Sequence, residues 1–356
     1  MKKLLTTTAI AGSALLMAAN VQAQTTVKGQ VHLVYKAISN EAPVGKAAGS
    51  NRGFGKETQL DVQTKGKLNN GLDYGAGFSI EHDGDELSKT DTTVNTSGMF
   101  NENVYIDIIA GKTTFTVGAD HVQNPDFTIT NLAGFRADPE DLLNGSGNQN
   151  ASTQAANYPG SGTTRYGSFG AGIIQDLGLA KASYYYVPGG TAQGDTGGTT
   201  FAGSNDTGES GHEFMLRGDL GVKGLDATLF YSLQEGAGVQ GAQNDVVGRM
   251  LALKYNFGQI TLAGEIKRNT AATAITTEGT SYAAGYAVNK DVTVAIGQGR
   301  AETAQPGAIE EKNNFVQIGY NLGPVLAGVA LSDANDIGGV ASNDAKVMYL
   351  QLSTAF

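Results

Sequence analysis

Apolar side chains recur at every second position along much of this chain. Near its end, Leu350, Leu352 and Phe356 share one parity, whereas Gln351 and Ser353 share the other. A period of two places successive side chains on opposite faces of a β-strand. The pattern therefore predicts a strand that separates an apolar surface from a polar one.

The same alternation occurs in segments from the beginning of the chain to its end. Val27 to Lys36 and Gln59 to Lys65 each carry one apolar and one polar face. Short turn sequences such as Asn70-Gly71 join some segments, and long polar stretches such as residues 82–98 join others. Counting these segments predicts about 16 strands, an even number, as in single-chain transmembrane barrels.

Pairing between the last strand and the first would leave no exposed sheet edge. The sequence therefore predicts an all-β fold: a transmembrane, antiparallel, up-and-down β-barrel in one domain, residues 24–356. A soluble β-sandwich is the alternative, but its strands would bury larger apolar residues on their second face than the small and polar ones found here. Glycines inside the strands, such as Gly170 and Gly172, are expected to relieve crowding at barrel bends.

Residues 1–23 have the composition of a cleavable signal peptide. Lys2 and Lys3 form a basic start, an apolar run extends from Leu4 to Ala19, and Val21-Gln22-Ala23 offers small residues around a cleavage site. We therefore expect export from the cytoplasm.

Charge and cysteine content narrow the choice of partners. The formal net charge of −10 becomes −12 when Lys2 and Lys3 are removed, which excludes a nucleic-acid partner that would need a basic face. The chain has no cysteine, so no disulfide can form. A mean hydropathy of −0.19 suits a barrel with a wet lumen, because only half of each strand then faces lipid.

Motifs for enzymatic chemistry are weak. Gly111-Lys112-Thr113-Thr114 resembles half of a phosphate-binding loop, but the glycine expected five positions earlier is Ile106, so a hairpin turn is predicted. The four histidines are scattered, and no nucleophile elbow or zinc-binding pair is present. We expect no enzyme activity and no cofactor, although a serine hydrolase triad needs no sequence motif.

An acidic stretch beginning at Glu81 contains weak calcium candidates, Asp83, Asp85 and Glu86. Carboxylate oxygens suit calcium, but the stretch lacks the ligand spacing of a dedicated calcium loop. A solvated loop tip that shares divalent ions with lipid headgroups is the favoured interpretation.

Several stretches together resemble the general diffusion porins of Gram-negative bacteria, in particular the alphaproteobacterial ones. They are the segment Val62 to Glu81, the hairpin Val104 to Asp120, the stretch T-R-Y-G-S-F that begins at Thr164, and the terminal Phe356. The resemblance implies a location in the outer membrane, a homotrimer and an infolded third outer loop. It also implies contact with outer-membrane lipid and lipopolysaccharide, and identifies Phe356 as an assembly signal.

The function implied is passive diffusion of small hydrophilic solutes and ions through a water-filled channel. A substrate-selective channel is the alternative within transport. An outer-membrane barrel enzyme and an adhesin with a barrel anchor remain alternatives from other classes.

Residues 119–162 form the candidate constriction loop. Asp138 followed by Pro139 predicts a helix start, and nearby apolar residues would anchor the loop on the inner wall. An exposed surface loop is the alternative, but long loops in compact domains usually have a function. The candidate constriction residues are Arg136, Asp138, Glu140 and Asp141.

Basic residues on lumen parities would face these acids from the wall. With the net negative charge of the chain, the loop acids predict a weak preference for cations. The candidate wall residues are Lys28, Arg165, Arg217, Lys254 and Lys267.

Overall fold

The computed structural model describes residues 24–41, 49–85, 99–119, 132–133, 169–187, 210–234, 245–270, 276–304 and 306–356. The strands are β1 (Gln24–Glu41), β2 (Gly49–Lys67), β3 (Asp73–Asp85), β4 (Met99–Ala110), β5 (Thr113–Ala119), β6 (Phe169–Asp176), β7 (Ala180–Val187), β8 (Gly211–Gly218), β9 (Leu225–Gln234), β10 (Val246–Phe257), β11 (Ile260–Thr270), β12 (Thr276–Ala287), β13 (Val292–Thr303), β14 (Glu311–Asn321), β15 (Val325–Asn335) and β16 (Asp344–Ala355). A short 3-10 helix, Ile337–Gly339, precedes β16.

Every strand pairs antiparallel with its neighbours in sequence, and β1 pairs with β16, so the sheet is a closed barrel. The predicted all-β barrel of about 16 strands is confirmed. Closure leaves no strand edge among the described strands and satisfies the backbone donors and acceptors through the ladders.

The terminal phenylalanine completes the seam between the first and last strands. Its amide donates a hydrogen bond to the Gly29 carbonyl and its carbonyl accepts one from the Gly29 amide, both at 2.8 Å. The Phe356 ring lies against Gly29, where any Cβ atom would collide with it. The last residue therefore contributes both backbone pairing and side-chain packing to barrel closure.

The two faces of the sheet differ as the alternation predicts. Leu350 and Leu352 are 37% and 49% exposed on the outer face, whereas Gln351 between them is 3% exposed on the inner face. Apolar and aromatic side chains recur at the outward positions of the other strands as well, for example at Leu251 and Leu253. An apolar exterior around a polar interior is the arrangement expected of a barrel that crosses a membrane.

Several strands are longer than the sequence predicts. Residues 268–279 read as a polar outer loop, but β11 continues to Thr270 and β12 begins at Thr276. Residues 299–312 read similarly, yet β13 continues to Thr303. These strand ends carry polar residues on both faces, so the alternation disappears although the backbone pairing continues.

At the end of the barrel opposite the long polar connections, the short connections are tight turns with a common construction. An Asp or Asn side chain accepts a hydrogen bond from the glycine amide two residues later, as in Asp176 to Gly178 at 2.7 Å and Asp219 to Gly221 at 2.9 Å. This Asx-turn replaces a backbone turn bond. Gly111, which the sequence also places in a hairpin, has a φ of 61° and lies in the turn between β4 and β5.

Glycines on the inner wall make room for large side chains. A Cβ atom at Gly172 would lie 2.8 Å from the Tyr185 ring, and Gly170 has the same neighbour. Tyr185 is buried in the lumen and donates a hydrogen bond to the carbonyl of Gly118. The glycines therefore make room for a lumen tyrosine and for the carbonyl oxygens of the neighbouring strand. That they lie at a barrel bend stays a prediction.

The first prediction concerns the seam. Deleting Phe356 removes two backbone hydrogen bonds, each of about 1 kcal/mol, and the packing on Gly29, so the fraction of folded barrel should fall. Heat-modifiable migration on a gel measures that fraction. Phe356→Ala should cause part of the loss, and Phe257→Ala, which removes an exposed ring away from the seam, should cause little. Equal folding of all variants would show that Phe356 has no role in assembly.

The second prediction concerns the two faces of β16. Leu350→Arg places a charge on the apolar outer face and should cost about 2 to 4 kcal/mol near the membrane midplane. Ser353→Arg places the same charge on the inner face, where Ser353 is partly exposed, and should cost less. Denaturant unfolding in lipid vesicles gives both free energies, and a larger loss for Ser353→Arg would reverse the assignment of the faces.

Candidate pore site

The inner wall of β8 to β10 carries a partly exposed group of charges. Arg217 donates two hydrogen bonds to the Asp226 carboxylate, at 3.1 and 2.8 Å, and Lys254 Nζ lies 3.9 Å from the same carboxylate. The three side chains are between 25% and 36% exposed. They are accessible from the lumen, and the bidentate geometry holds Arg217 in a fixed orientation.

Lys181 on β7 extends this group along the wall, and sequence reasoning missed it. It pairs in register with Arg217 and is exposed. It shares its parity with the lumen residues Ser183 and Tyr185, which is the signal that could have identified it. Three cations and the Asp226 carboxylate thus lie on four neighbouring strands. Asp176 of β6 is in register with Lys181, so among these residues the cations outnumber the acids by three to two.

Lys267 lies on the inner face, but it differs from the other candidate wall cations. Its side chain is only 3% exposed, and its ammonium lies 2.8 Å from the carboxylate of Glu265, which is 1% exposed. The prediction that Lys267 presents its charge to lumen water is therefore wrong. A buried ammonium is tolerated here because its counter-charge is two residues away on the same strand face.

The remaining candidate wall residues lie elsewhere. Lys28 is exposed near the start of β1 and is paired in register with Asp61 of β2. Lys28 has the same parity as the lumen residue His32, so it lies on the inner face. Arg165 lies outside the described residues.

Two residues of the segment between β5 and β6 lie against the inner wall on the far side of the barrel. Leu132 packs on a buried cluster that includes Phe230, Met250 and Ala252. Its Cβ atom would lie 3.0 Å from a Cβ atom at Gly285 of β12. This segment therefore enters the lumen at residue 132.

Ala133 makes the closer contact. Its carbonyl oxygen lies against Gly319 of β14, where any Cβ atom would collide with it. Ala133 is also buried with Ala295, Ala330 and Tyr349 of the inner wall. Small residues on β12 to β15 thus leave room for the backbone of the β5–β6 connection. We call this contact surface the loop seat.

The charged candidates of the loop, Arg136, Asp138, Glu140 and Asp141, lie outside the described residues. Ala119, taken from the sequence as the first loop residue, is the last residue of β5.

The calcium candidates do not lie at a loop tip, as far as the structure describes them. Asp83 and Asp85 belong to β3, which continues to Asp85, and Glu86 lies outside the described residues. Within the described ranges, no three His, Asp or Glu side chains come together as a metal site. The described part of the chain also contains no helix of the length and apolar character needed to cross a membrane.

Comparison with solved structures shows the fold. An anion-selective porin from Comamonas acidovorans has a TM-score of 0.64 and 17% identity, over 94% of this chain and 100% of that chain. Salmonella typhi OmpF in complex with daunomycin has a TM-score of 0.60 and 11% identity, over 93% of this chain and 97% of that chain. A mutant of Rh. blastica porin has a TM-score of 0.56 and 13% identity, over 94% of this chain and 100% of that chain.

The sequence comparisons agree with the fold. No curated protein matches the sequence. Residues 6–355, however, match the family model described as Gram-negative porin. The match extends over nearly the whole chain, so this protein belongs to the Gram-negative porin family.

Proposed function

We propose that this chain forms a water-filled channel in the outer membrane, through which small hydrophilic solutes and ions diffuse passively. The observation that supports it most directly is the charged and partly exposed inner wall at Arg217, Asp226 and Lys254 inside an apolar exterior. Charges on a pore wall interact with permeating ions and disfavour apolar solutes, which gain nothing from them. In this proposal the solutes pass without chemical change.

We propose further that the segment between β5 and β6 narrows the channel. The support is the contact of Leu132 and Ala133 with Gly285 and Gly319, on strands far along the barrel from β5. A connection anchored there crosses the lumen, so residues that follow Ala133 start from inside the barrel. Asp138, Glu140 and Asp141 are five to eight residues later, within reach of the charged wall of β7 to β10.

A weak cation preference follows from those acids and from the net negative charge of the chain. A channel selective for anions is the second candidate, and the basic row of Lys181, Arg217 and Lys254 favours it. The anion-selective porin of Comamonas acidovorans shares the fold. The sign of the reversal potential in a salt gradient distinguishes the two.

The homotrimer also belongs to this proposal. The outer face across β14, β15, β16, β1 and β2 has two adjoining depressions of about 1090 and 600 Å³. Leu33, Phe54 and Ile318 line one of them, and Phe54 is 70% exposed. A second copy of the chain is the occupant we propose, because the smaller depression is mainly apolar and the larger one carries Arg52 and Lys346 beside it. An apolar centre with polar residues around it suits a subunit contact. The rest of the exterior would contact outer-membrane lipid and lipopolysaccharide, after export with the signal peptide 1–23.

The third prediction tests the loop seat. Because the chain has no cysteine, the double variant Leu132→Cys/Gly285→Cys should form a disulfide on mild oxidation, since the two Cβ positions are close. Mass spectrometry of the oxidised and reduced protein measures the yield. Leu132→Cys/Ser183→Cys is the matched control, with its second cysteine on the inner face of β7. Equal yields, or none for Gly285, would contradict the seat.

The fourth prediction tests the channel and its constriction together. Wild-type protein in a planar bilayer should give open, ohmic conductance, and replacing Asp138, Glu140 and Asp141 by Asn, Gln and Asn should shift the reversal potential toward anions. The matched control neutralises three acids on the outer face, Glu278, Glu302 and Asp333, and should leave the potential unchanged.

Each failure has a separate meaning in this experiment. No conductance from folded protein would contradict the channel and favour an adhesin or a barrel enzyme. Conductance that a solute blocks saturably would indicate a substrate-selective channel. An unchanged reversal potential in the loop variant would show that this loop does not form the constriction.

A further inference from the structure

Two pairs of basic residues face each other in register on the outer surface of the barrel. Arg249 of β10 is paired with Arg268 of β11, and Arg300 of β13 is paired with Lys312 of β14. All four alternate with buried inner-wall positions and are exposed. Like charges directly opposite each other destabilise a sheet, so each pair needs a compensating anion.

The pair on β13 and β14 has its anion within the protein. The Glu310 carboxylate lies 3.6 Å from Arg300 and 3.0 Å from Lys312, so one carboxylate serves both cations. The Glu310 carboxylate therefore neutralises part of the positive charge of this pair. It shows how the protein compensates two cations that lie opposite each other.

The pair on β10 and β11 is arranged differently. Arg268 has a carboxylate neighbour, Glu278 at 3.3 Å on the far side, away from Arg249. The guanidinium of Arg249 lies over the Tyr231 ring, 5.9 Å from its centroid. Among the residues that the structure describes, no carboxylate bridges Arg249 and Arg268 as Glu310 bridges the other pair.

The height of this pair matches the boundary of the membrane. Arg249 precedes Phe257 by eight residues, a rise of about 20 Å for a strand tilted by about 40°. Phe257 is 69% exposed beside the short turn to β11, and the apolar band of such a barrel is about 25 Å tall. Counted from Phe257, the pair therefore lies about 5 Å below the upper edge of the band, on the side of the longer connections, and long arginine side chains reach the headgroups from there.

The residues next to the pair favour a lipid over a free ion. Leu251 and Ile266, paired in register one step below, are 44% and 58% exposed and face acyl chains in a membrane. Tyr231, in register with Arg249 on the other side, is a typical interfacial residue. A ligand here would contact two guanidiniums with its head and apolar side chains with its tail.

We propose that Arg249 and Arg268 bind the phosphate of a phosphorylated lipid of the outer leaflet. Guanidinium groups bind phosphate through paired, charge-assisted hydrogen bonds. The phosphate between the two arginines takes the role that Glu310 has between Arg300 and Lys312. The inference rests on the membrane location of the barrel and does not depend on the channel being open.

The experiment compares two variants that each remove two outward cations. Delipidated wild type, Arg249→Gln/Arg268→Gln and Arg300→Gln/Lys312→Gln are titrated with bisphosphorylated lipid A, and bound lipid is counted by native mass spectrometry. The first variant should bind at least about tenfold more weakly than wild type, and the second within about twofold. Chemically dephosphorylated lipid A should bind all three proteins alike.

Other results would overturn the proposal. Equal losses in both variants would show that only the general charge of the outer surface matters. No loss in either would show that the arginine pair binds no lipid, and displacement of the lipid by inorganic phosphate alone would indicate an ion site. Heat-modifiable migration confirms folding, and conductance of the same samples separates this result from the channel proposal.

Discussion

The structure depends on one constraint: each backbone donor and acceptor that crosses a membrane must find its partner within the protein. A sheet satisfies this only if it has no edge, so the first and last strands must meet. The twelve residue pairs between β1 and β16 provide that closure, and the amide and carbonyl of Phe356 extend it to Gly29. Once the barrel is closed, the strand period of two separates an apolar exterior from a polar lumen.

Inside the barrel, exposure to solvent determines whether a charged side chain can interact with ions in the lumen. Arg217 and Lys267 both lie on the inner face, yet the first is partly exposed beside Asp226 and Lys254, whereas the second is buried against Glu265. A charge that contacts water can interact with a permeating ion, but a buried pair is largely satisfied internally. The channel we propose therefore uses the wall of β7 to β10, while small residues at Gly285 and Gly319 receive the crossing loop.

At the upper rim of the exterior, neighbouring cations also depend on a counter-charge. In-register cations recur on neighbouring strands, and Glu310 compensates the pair of Arg300 and Lys312. The pair of Arg249 and Arg268 has aromatic and apolar neighbours instead. A phosphorylated lipid would supply the missing anion, so the proposed lipid site and the proposed channel use opposite faces of β10.

The sequence by itself determined the strands, their faces and their closure, because alternation is a local property that Leu350, Gln351 and Leu352 display without reference to distant residues. It failed where both faces carry polar residues, as at the end of β11, since backbone pairing then continues without alternation of apolar and polar side chains. Only the tertiary structure decided that Lys267 is buried, because burial depends on what covers the strand. Likewise, no local pattern links Ala133 to Gly319, since that contact joins residues far apart in the chain and exists only after the barrel has closed.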